Sequence, residues 1–137
     1  MRKSDYNFER PYIVENEFVA NSDFVFNDGQ SVDINTTIKR YCSRSEDGTG
    51  DEATVGIEII IGEKTSGAPF YLKLLMEAKF SWQNKTESEI NAFLSVNAPA
   101  LLLGYARPIV TFITSNSAYP PFYLSFINFT DKGVASA

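Results

Sequence analysis

The sequence predicts an α+β fold in which a four-stranded antiparallel sheet is followed by a long kinked helix packed on one face. Three observations predict it. Apolar and polar residues alternate through four stretches ending at Trp82, as in strands with one buried face. Short clusters of Gly, Asp, Ser and Pro separate most of these stretches, and such turns join antiparallel neighbours. After Thr86 the apolar spacing lengthens to three and four residues, the period of a helix. Strands followed by helices is the order of a layered α+β domain, and 137 residues make a single domain, 1–137, with room for a real core.

The first strand falls in "YIVENEF" (12–18), where Tyr12, Val14 and Phe18 share one side and Glu15 and Glu17 form a solvated other side. The stretch Asn21–Gln30 is long for a hairpin, holds Phe24 and Phe26, and reads as a crossover between strands. In "SVDINTTIKRY" (31–41), Val32, Ile34 and Ile38 point one way; Asp33, Asn35, Thr37 and Lys39 point the other. "TVGIEIII" (54–61) repeats the pattern with Val55, Ile57, Ile59 and Ile61. The longest run, "FYLKLLMEAKFSW" (70–82), has an inward row from Phe70 through Leu72, Leu74, Met76, Ala78 and Phe80 to Trp82. Between the last two strands, "GEKT" (62–65) lacks the two-glycine frame and Lys-Ser/Thr end of a phosphate loop, so it reads as a hairpin turn.

Thr86 and Glu89 have the spacing of a capping box, which starts a helix at about Glu87 and carries Ile90, Phe93 and Leu94 on one side. Pro99 interrupts this helix. A second apolar stripe follows through Leu102, Tyr105, Ala106, Ile109, Val110 and Ile113, and Pro108 within it should kink the axis. The chain then enters "YPPFYLSFINF" (119–129), five rings and two branched aliphatics in a segment that neither starts as a helix nor alternates cleanly as a strand.

Composition narrows the function. A net charge of -5 repels phosphate backbones and anionic headgroups, so neither nucleic-acid binding nor direct membrane insertion is expected. No run of about 18 apolar residues marks a membrane span or leader. Cys42, the single cysteine, cannot pair internally, which fits a reducing compartment and a cytoplasmic protein. The absence of histidine removes the commonest general base near neutral pH, the Ser-His-Asp relay and most zinc chemistry. No enzyme, cofactor or metal site is expected. The segment 98–113 is apolar on nearly every side and carries one charge, Arg107; such a helix needs cover on more than one face, which implies an oligomer.

Residues 97–129, "NAPALLLGYARPIVTFITSNSAYPPFYLSFINF", resemble the C-terminal region of SecB, the bacterial export chaperone. The shared pattern is Pro99, the apolar run Leu101–Leu103, Tyr105-Ala106-Arg107, the stripe to Ile113, Tyr119-Pro120, Leu124 and Asn128-Phe129. The resemblance implies a homotetramer, a dimer of dimers with long helices sandwiched between sheets, with Leu102, Tyr105, Ala106, Ile109 and Ile113 at the oligomer interface. It also implies an ATP-independent holdase that serves protein export by binding unfolded polypeptide clients in long surface grooves. On this chain the grooves correspond to Phe24 and Phe26 of the crossover and to Tyr119, Phe122, Tyr123, Leu124 and Phe126. Rings suit that task because they bury much apolar area with few rotatable bonds.

The family docks the SecA motor through an acidic patch on the outer sheet face, which maps to Glu15, Tyr71 and Lys73 here. Lys73 and Val19 stand where acids would be expected, and the sequence ends "TDKGVASA" where the family continues into a polar helix and acidic tail. SecA docking is therefore doubtful, and a dedicated chaperone of one client, such as an antitoxin, is an alternative. A reading from another class is a small-molecule-binding α+β protein with an apolar cavity, whose mark would be polar groups converging inside that cavity.

Overall fold

The computed structural model describes residues 5–25, 32–44, 50–65 and 67–130, together with the backbone of 135–136. In chain order it comprises β1 (Tyr6–Phe8), β2 (Tyr12–Ala20), β3 (Thr36–Arg44), β4 (Glu52–Gly62), β5 (Phe70–Trp82), α1 (Glu87–Ala92), a π-helical turn (Phe93–Asn97), α2 (Ala98–Ser115) and the two-residue β6 (Ala135–Ser136). β5 is the spine of one sheet: β1 and β2 pair along one edge of it at successive positions, β4 pairs along the other edge, and β3 and then β6 follow. All pairings are antiparallel except the short β3–β6 contact. The four long strands are those that the alternation predicts, while β1 and β6 are too short to show a period. β2 and β3 lie toward opposite sides of the sheet, so the chain between them is a crossover, as expected. Part of it, including Phe26, falls outside the described residues.

Two strands depart in register from the sequence reading. A bulge between Ile13 and Glu15 shifts β2 by one residue, and because side chains alternate with period two, the residues before it change face. Tyr12 therefore sits opposite Glu77 on the outer face and hydrogen bonds its carboxylate at 3.1 Å, while Phe18 lies opposite Leu72 on the helix side. Tyr12 and Phe18 do not share a side. β3 begins at Thr36, later than Val32 and Ile34, and the residues opposite the inward Ile59, Ile57, Val55 and Ala53 are Ile38, Arg40, Cys42 and Arg44. The inward face of this strand is thus largely polar.

The core lies between the inner rows of β4 and β5 and one stripe of α2. Val55, Ile57, Ile59, Ile61, Leu72, Leu74 and Ala78 are completely buried, and Ala98, Leu102, Leu103, Ala106 and Val110 cover them from the helix. Each such branched side chain contributes roughly 1.5–3 kcal/mol by leaving water. The β4–β5 hairpin turns at Gly62, whose φ of 75° is left-handed; a Cβ there would lie 2.0 Å from the Phe70 carbonyl oxygen. "GEKT" is the hairpin turn that it was read as.

The helix begins as its capping box predicts: the Glu89 N–H donates to Thr86 Oγ1 at 3.2 Å and the Thr86 N–H to Glu89 Oε1 at 3.3 Å. Pro99 does not interrupt the helix. It cannot donate to the Ser95 carbonyl, and just before it the Ala98 N–H reaches back to Phe93, widening one turn into a π-bulge. The Ser95 carbonyl is instead taken by Arg40 Nη1 at 2.6 Å. Helical structure then continues through Pro108 to Ser115. The composite helix Glu87–Ser115 is 29 residues long and apolar enough to match a membrane span by length and composition, contrary to the expectation that no such stretch exists. The buried stripe of α2 packs on the sheet, which gives a core helix the same composition.

Candidate functional site

Segment 119–129 has no strand or helix of its own, yet its main chain is anchored repeatedly by side chains from elsewhere. Tyr119 Oη donates to the Asn21 carbonyl at 2.9 Å, and the Asn21 amide in turn donates to the carbonyls of Glu63, Thr65 and Ala68 at 2.8, 2.7 and 2.7 Å. The Phe122 N–H donates to Thr114 Oγ1 at 2.8 Å, and Thr111 Oγ1 donates to the Phe122 carbonyl at 3.4 Å. Arg107 Nε donates to the Leu124 carbonyl at 2.7 Å, and Arg40 Nη1 reaches the Phe129 carbonyl at 2.6 Å. Thr114 is fully buried for this reason: its hydroxyl bridges the helix, through a 2.9 Å bond to the Val110 carbonyl, and the segment.

These anchors sort the apolar residues of the segment into three classes. Leu124 and Phe129 are 3 % and 2 % exposed and belong to the core, so Leu124, expected on the client surface, is almost wholly covered. Tyr119 and Phe122 are half-buried, Phe122 meeting Phe70 edge-on at 6.3 Å between centroids. Tyr123 and Phe126, by contrast, are 71 % and 82 % exposed. The Arg107 guanidinium lies 3.7 Å from the Phe126 ring centroid, a stack that holds the ring in place at modest cost. Pro108, Thr111, Tyr123 and Leu124 line a shallow cleft beside Arg107, of about 240 Å³. On the crossover, Phe24 is half-buried and its neighbour Val25 is well exposed.

The residues expected at an oligomer interface divide. Leu102 and Ala106 are wholly buried in the core against the protein's own sheet and present no surface to a partner. Ile109 and Ile113 are half-buried, and Tyr105 is exposed. The outward stripe of α2 is Leu101, Tyr105, Pro108 and Phe112, with Phe112 70 % exposed. Phe8 of β1 lies edge-on to Tyr105 at 6.4 Å and extends this apolar strip toward the sheet edge. The sequence reading missed Phe112 and Phe8. In a helix apolar on all sides the pattern does not say which side meets the sheet.

On the outer sheet face, Glu15 pairs with Lys73 at 3.2 Å and Glu17 with Lys64 at 2.8 Å. Tyr71 lies under the Lys64 ammonium, 5.0 Å from its ring centroid. The hydrogen bond that Lys73 donates to Glu15 raises the Lys73 pKa, so Glu15 and Glu17 are neutralised acids on this face. A second cleft, of about 320 Å³, opens between β3 and the start of the helix and is lined by Arg40, Tyr41, Cys42, Arg44, Asn91, Leu94 and Ser95. Its arginines are committed to the fold: Arg40 holds two carbonyls, and Arg44 forms a two-pronged ion pair with Glu87. Partial desolvation raises the thiol pKa of the exposed Cys42.

Comparison with known proteins agrees with this architecture. A protein-export protein SecB of Neorickettsia sennetsu is 36 % identical over 63 residues, 46 % of this chain but only 38 % of that relative. One from Xanthomonas euvesicatoria is 24 % identical over 126 residues, 90 % of this chain and 72 % of the relative. Among solved structures, the SecB-like chaperone Rv1957 of Mycobacterium tuberculosis, in complex with a ChAD peptide from the HigA1 antitoxin, has the same fold: TM-score 0.72 at 15 % identity, over 90 % of this chain and 91 % of that one. The family profile described as preprotein translocase subunit SecB matches residues 5–132, and the chain therefore belongs to the SecB family.

Proposed function

We propose that this protein is an ATP-independent chaperone of the cytoplasm, a holdase that binds unfolded or extended polypeptides along the rings of segment 119–129. One observation carries the reading. Tyr123 and Phe126 stand 71 % and 82 % exposed on a segment held by the Tyr119 side chain and by main-chain bonds at residues 122, 124 and 129. Rings held outward by a fixed backbone lose little entropy when they bind, and backbone groups of the segment outside those anchors can hydrogen bond an extended client. Tyr119 and Phe122 shape the floor beneath them, and Phe24 flanks it. The outward stripe of α2, with Tyr105 and Phe112 and flanked by the half-buried Ile109 and Ile113, is the surface for assembly into a homotetramer.

The test is suppression of aggregation of a chemically unfolded client in the absence of nucleotide. Replacing Tyr123→Ser and Phe126→Ser together should abolish suppression and leave the melting temperature within a degree or two of the parent, since surface substitutions change stability by only about 0.5 kcal/mol. A double variant that still suppresses aggregation at the parent's stoichiometry would defeat the reading.

A narrower version has its own support: this chaperone serves one dedicated client, such as an antitoxin, rather than general export. The outer-face acids Glu15 and Glu17 are paired with Lys73 and Lys64, which weakens the acidic patch that SecA docking would use. The fold is shared with a chaperone solved on an antitoxin peptide. Purification from the native host with one dominant bound polypeptide is the expected result; a broad mixture of secretory precursors would return the protein to general export.

A further inference from the structure

Between Tyr119 and Phe122 the chain has only two backbone N–H groups, because Pro120 and Pro121 carry none. A hydroxyl near the end of α2 takes each of them. The Phe122 N–H donates to Thr114 Oγ1 at 2.8 Å, and the Tyr119 N–H donates to Ser117 Oγ at 3.1 Å. A hydroxyl has one proton and an N–H can only donate, so each oxygen accepts from the turn and its proton goes to the nearest carbonyl. For Thr114 that is Val110, at 2.9 Å, and for Ser117 it is Thr114, at 2.6 Å. Thr111 adds a third hydroxyl, 3.4 Å from the Phe122 carbonyl.

The helix itself does not need these hydroxyls. In an α-helix a carbonyl such as that of Val110 already has the N–H four residues on as its partner, and Thr is a poorer helix former than many residues. Thr114 is nevertheless the one buried polar side chain among the described residues, and a buried hydroxyl is costly unless it is bonded. Valine has nearly the same shape and would fill the space without that cost. What the hydroxyl supplies and valine cannot is an acceptor for the Phe122 N–H. Phe122 sits edge-on to the buried Phe70, and the next residue is the exposed Tyr123. Two prolines with fixed φ and two held N–H groups leave the turn few conformations, and the conformation of the turn sets where the Tyr123 ring projects.

We infer that Thr114 and Ser117 are positioning residues of the client surface: their hydroxyls hold turn 119–122 in one conformation, and through it hold Tyr123 in place for an unfolded client. This rests on the holdase reading given above. It makes the affinity of the surface depend on Thr114, which is wholly buried and out of a client's reach.

The test titrates the intact protein with a blocked peptide of alternating Leu, Thr and Tyr with a lysine at each end, at a temperature where circular dichroism shows the variants fully folded. Thr114→Val should bind the peptide about tenfold more weakly than the parent, since a turn no longer held must be ordered on binding. Thr114→Ser keeps the hydroxyl and should restore most of that affinity, even though it removes a buried methyl group and lowers the melting temperature. In a Tyr123→Ser background, Thr114→Val should change the affinity by no more than about twofold, because the ring that it positions is gone. Ser117→Ala removes the second grip and should weaken binding about threefold. Parental affinity in Thr114→Val, or in Ser117→Ala where Thr114→Val does not fold, overturns the inference while upholding the holdase reading. So does a tenfold loss that persists in the Tyr123→Ser background. Failure of the parent protein to bind the peptide overturns both.

Discussion

β4 and β2 both run antiparallel to β5, on opposite edges of it, and both are rich in branched and aromatic residues, but their fates differ completely. Val55, Ile57, Ile59 and Ile61 of β4 have no exposed surface, whereas Tyr12, Ile13, Val14 and Val19 of β2 are 37–49 % exposed. Pairing with the same strand satisfies the same kind of backbone bonds, so the difference is one of cover. α2 packs over β4 and β5, while β2 is an outer strand that the bulge re-aims near its start. Segment 119–129 repeats the contrast at shorter range, where Phe129 is core and Phe126, three residues earlier, is surface. In this fold burial is decided by the helix and by the few side chains that pull the last segment down, and what escapes both is the apolar surface available for binding.

Substitutions that treat the two regions alike should therefore have unlike effects. The largest difference is expected between Ile57→Ala and Ile13→Ala. The first leaves a cavity under α2 and should cost about 2–5 kcal/mol by urea denaturation, the second about 1 kcal/mol or less. An equal cost for both would break the comparison, because it would mean that β2 is covered in solution as thoroughly as β4. Next is Arg40→Ala, which strips one donor from the carbonyls of both Ser95 and Phe129; a loss of about 1–3 kcal/mol is expected. It should also speed hydrogen exchange in the π-turn and around Phe129, leaving β4 protected. Thr86→Ala removes the capping-box oxygen and should cost about 1 kcal/mol, seen as a fall in the melting temperature of a few degrees. The smallest effect on stability belongs to Tyr123→Ser with Phe126→Ser, the pair whose loss should show almost wholly in client binding.

Much of the fold could be read directly. Alternation located all four long strands and, in β4 and β5, the buried face of each, because a half-buried strand shows its period of two in any context. The capping box placed the helix start at Glu87, since that device is local in sequence. The pattern at 97–129 carried the family. Within the site, Tyr123 and Phe126 were named from the sequence and are exposed; Leu124 was named with them and is buried, and Arg107 passed as a family marker with no role at the surface.

What the sequence determined alone was whatever depends on neighbours a few residues away: strand period, turns, the helix cap and the family pattern. Tertiary structure decided the rest. The bulge that turns Tyr12 outward is set by pairing across to β5. Pro99 widens a turn instead of ending the helix because Arg40, 55 residues away from Ser95 in the chain, donates to the carbonyl left over. Both sides of α2 carry large apolar residues, so its contact with β4 and β5 distinguishes the stripe that packs from the stripe that remains to bind. Burial is a relation between distant segments, and no short window of sequence contains both partners.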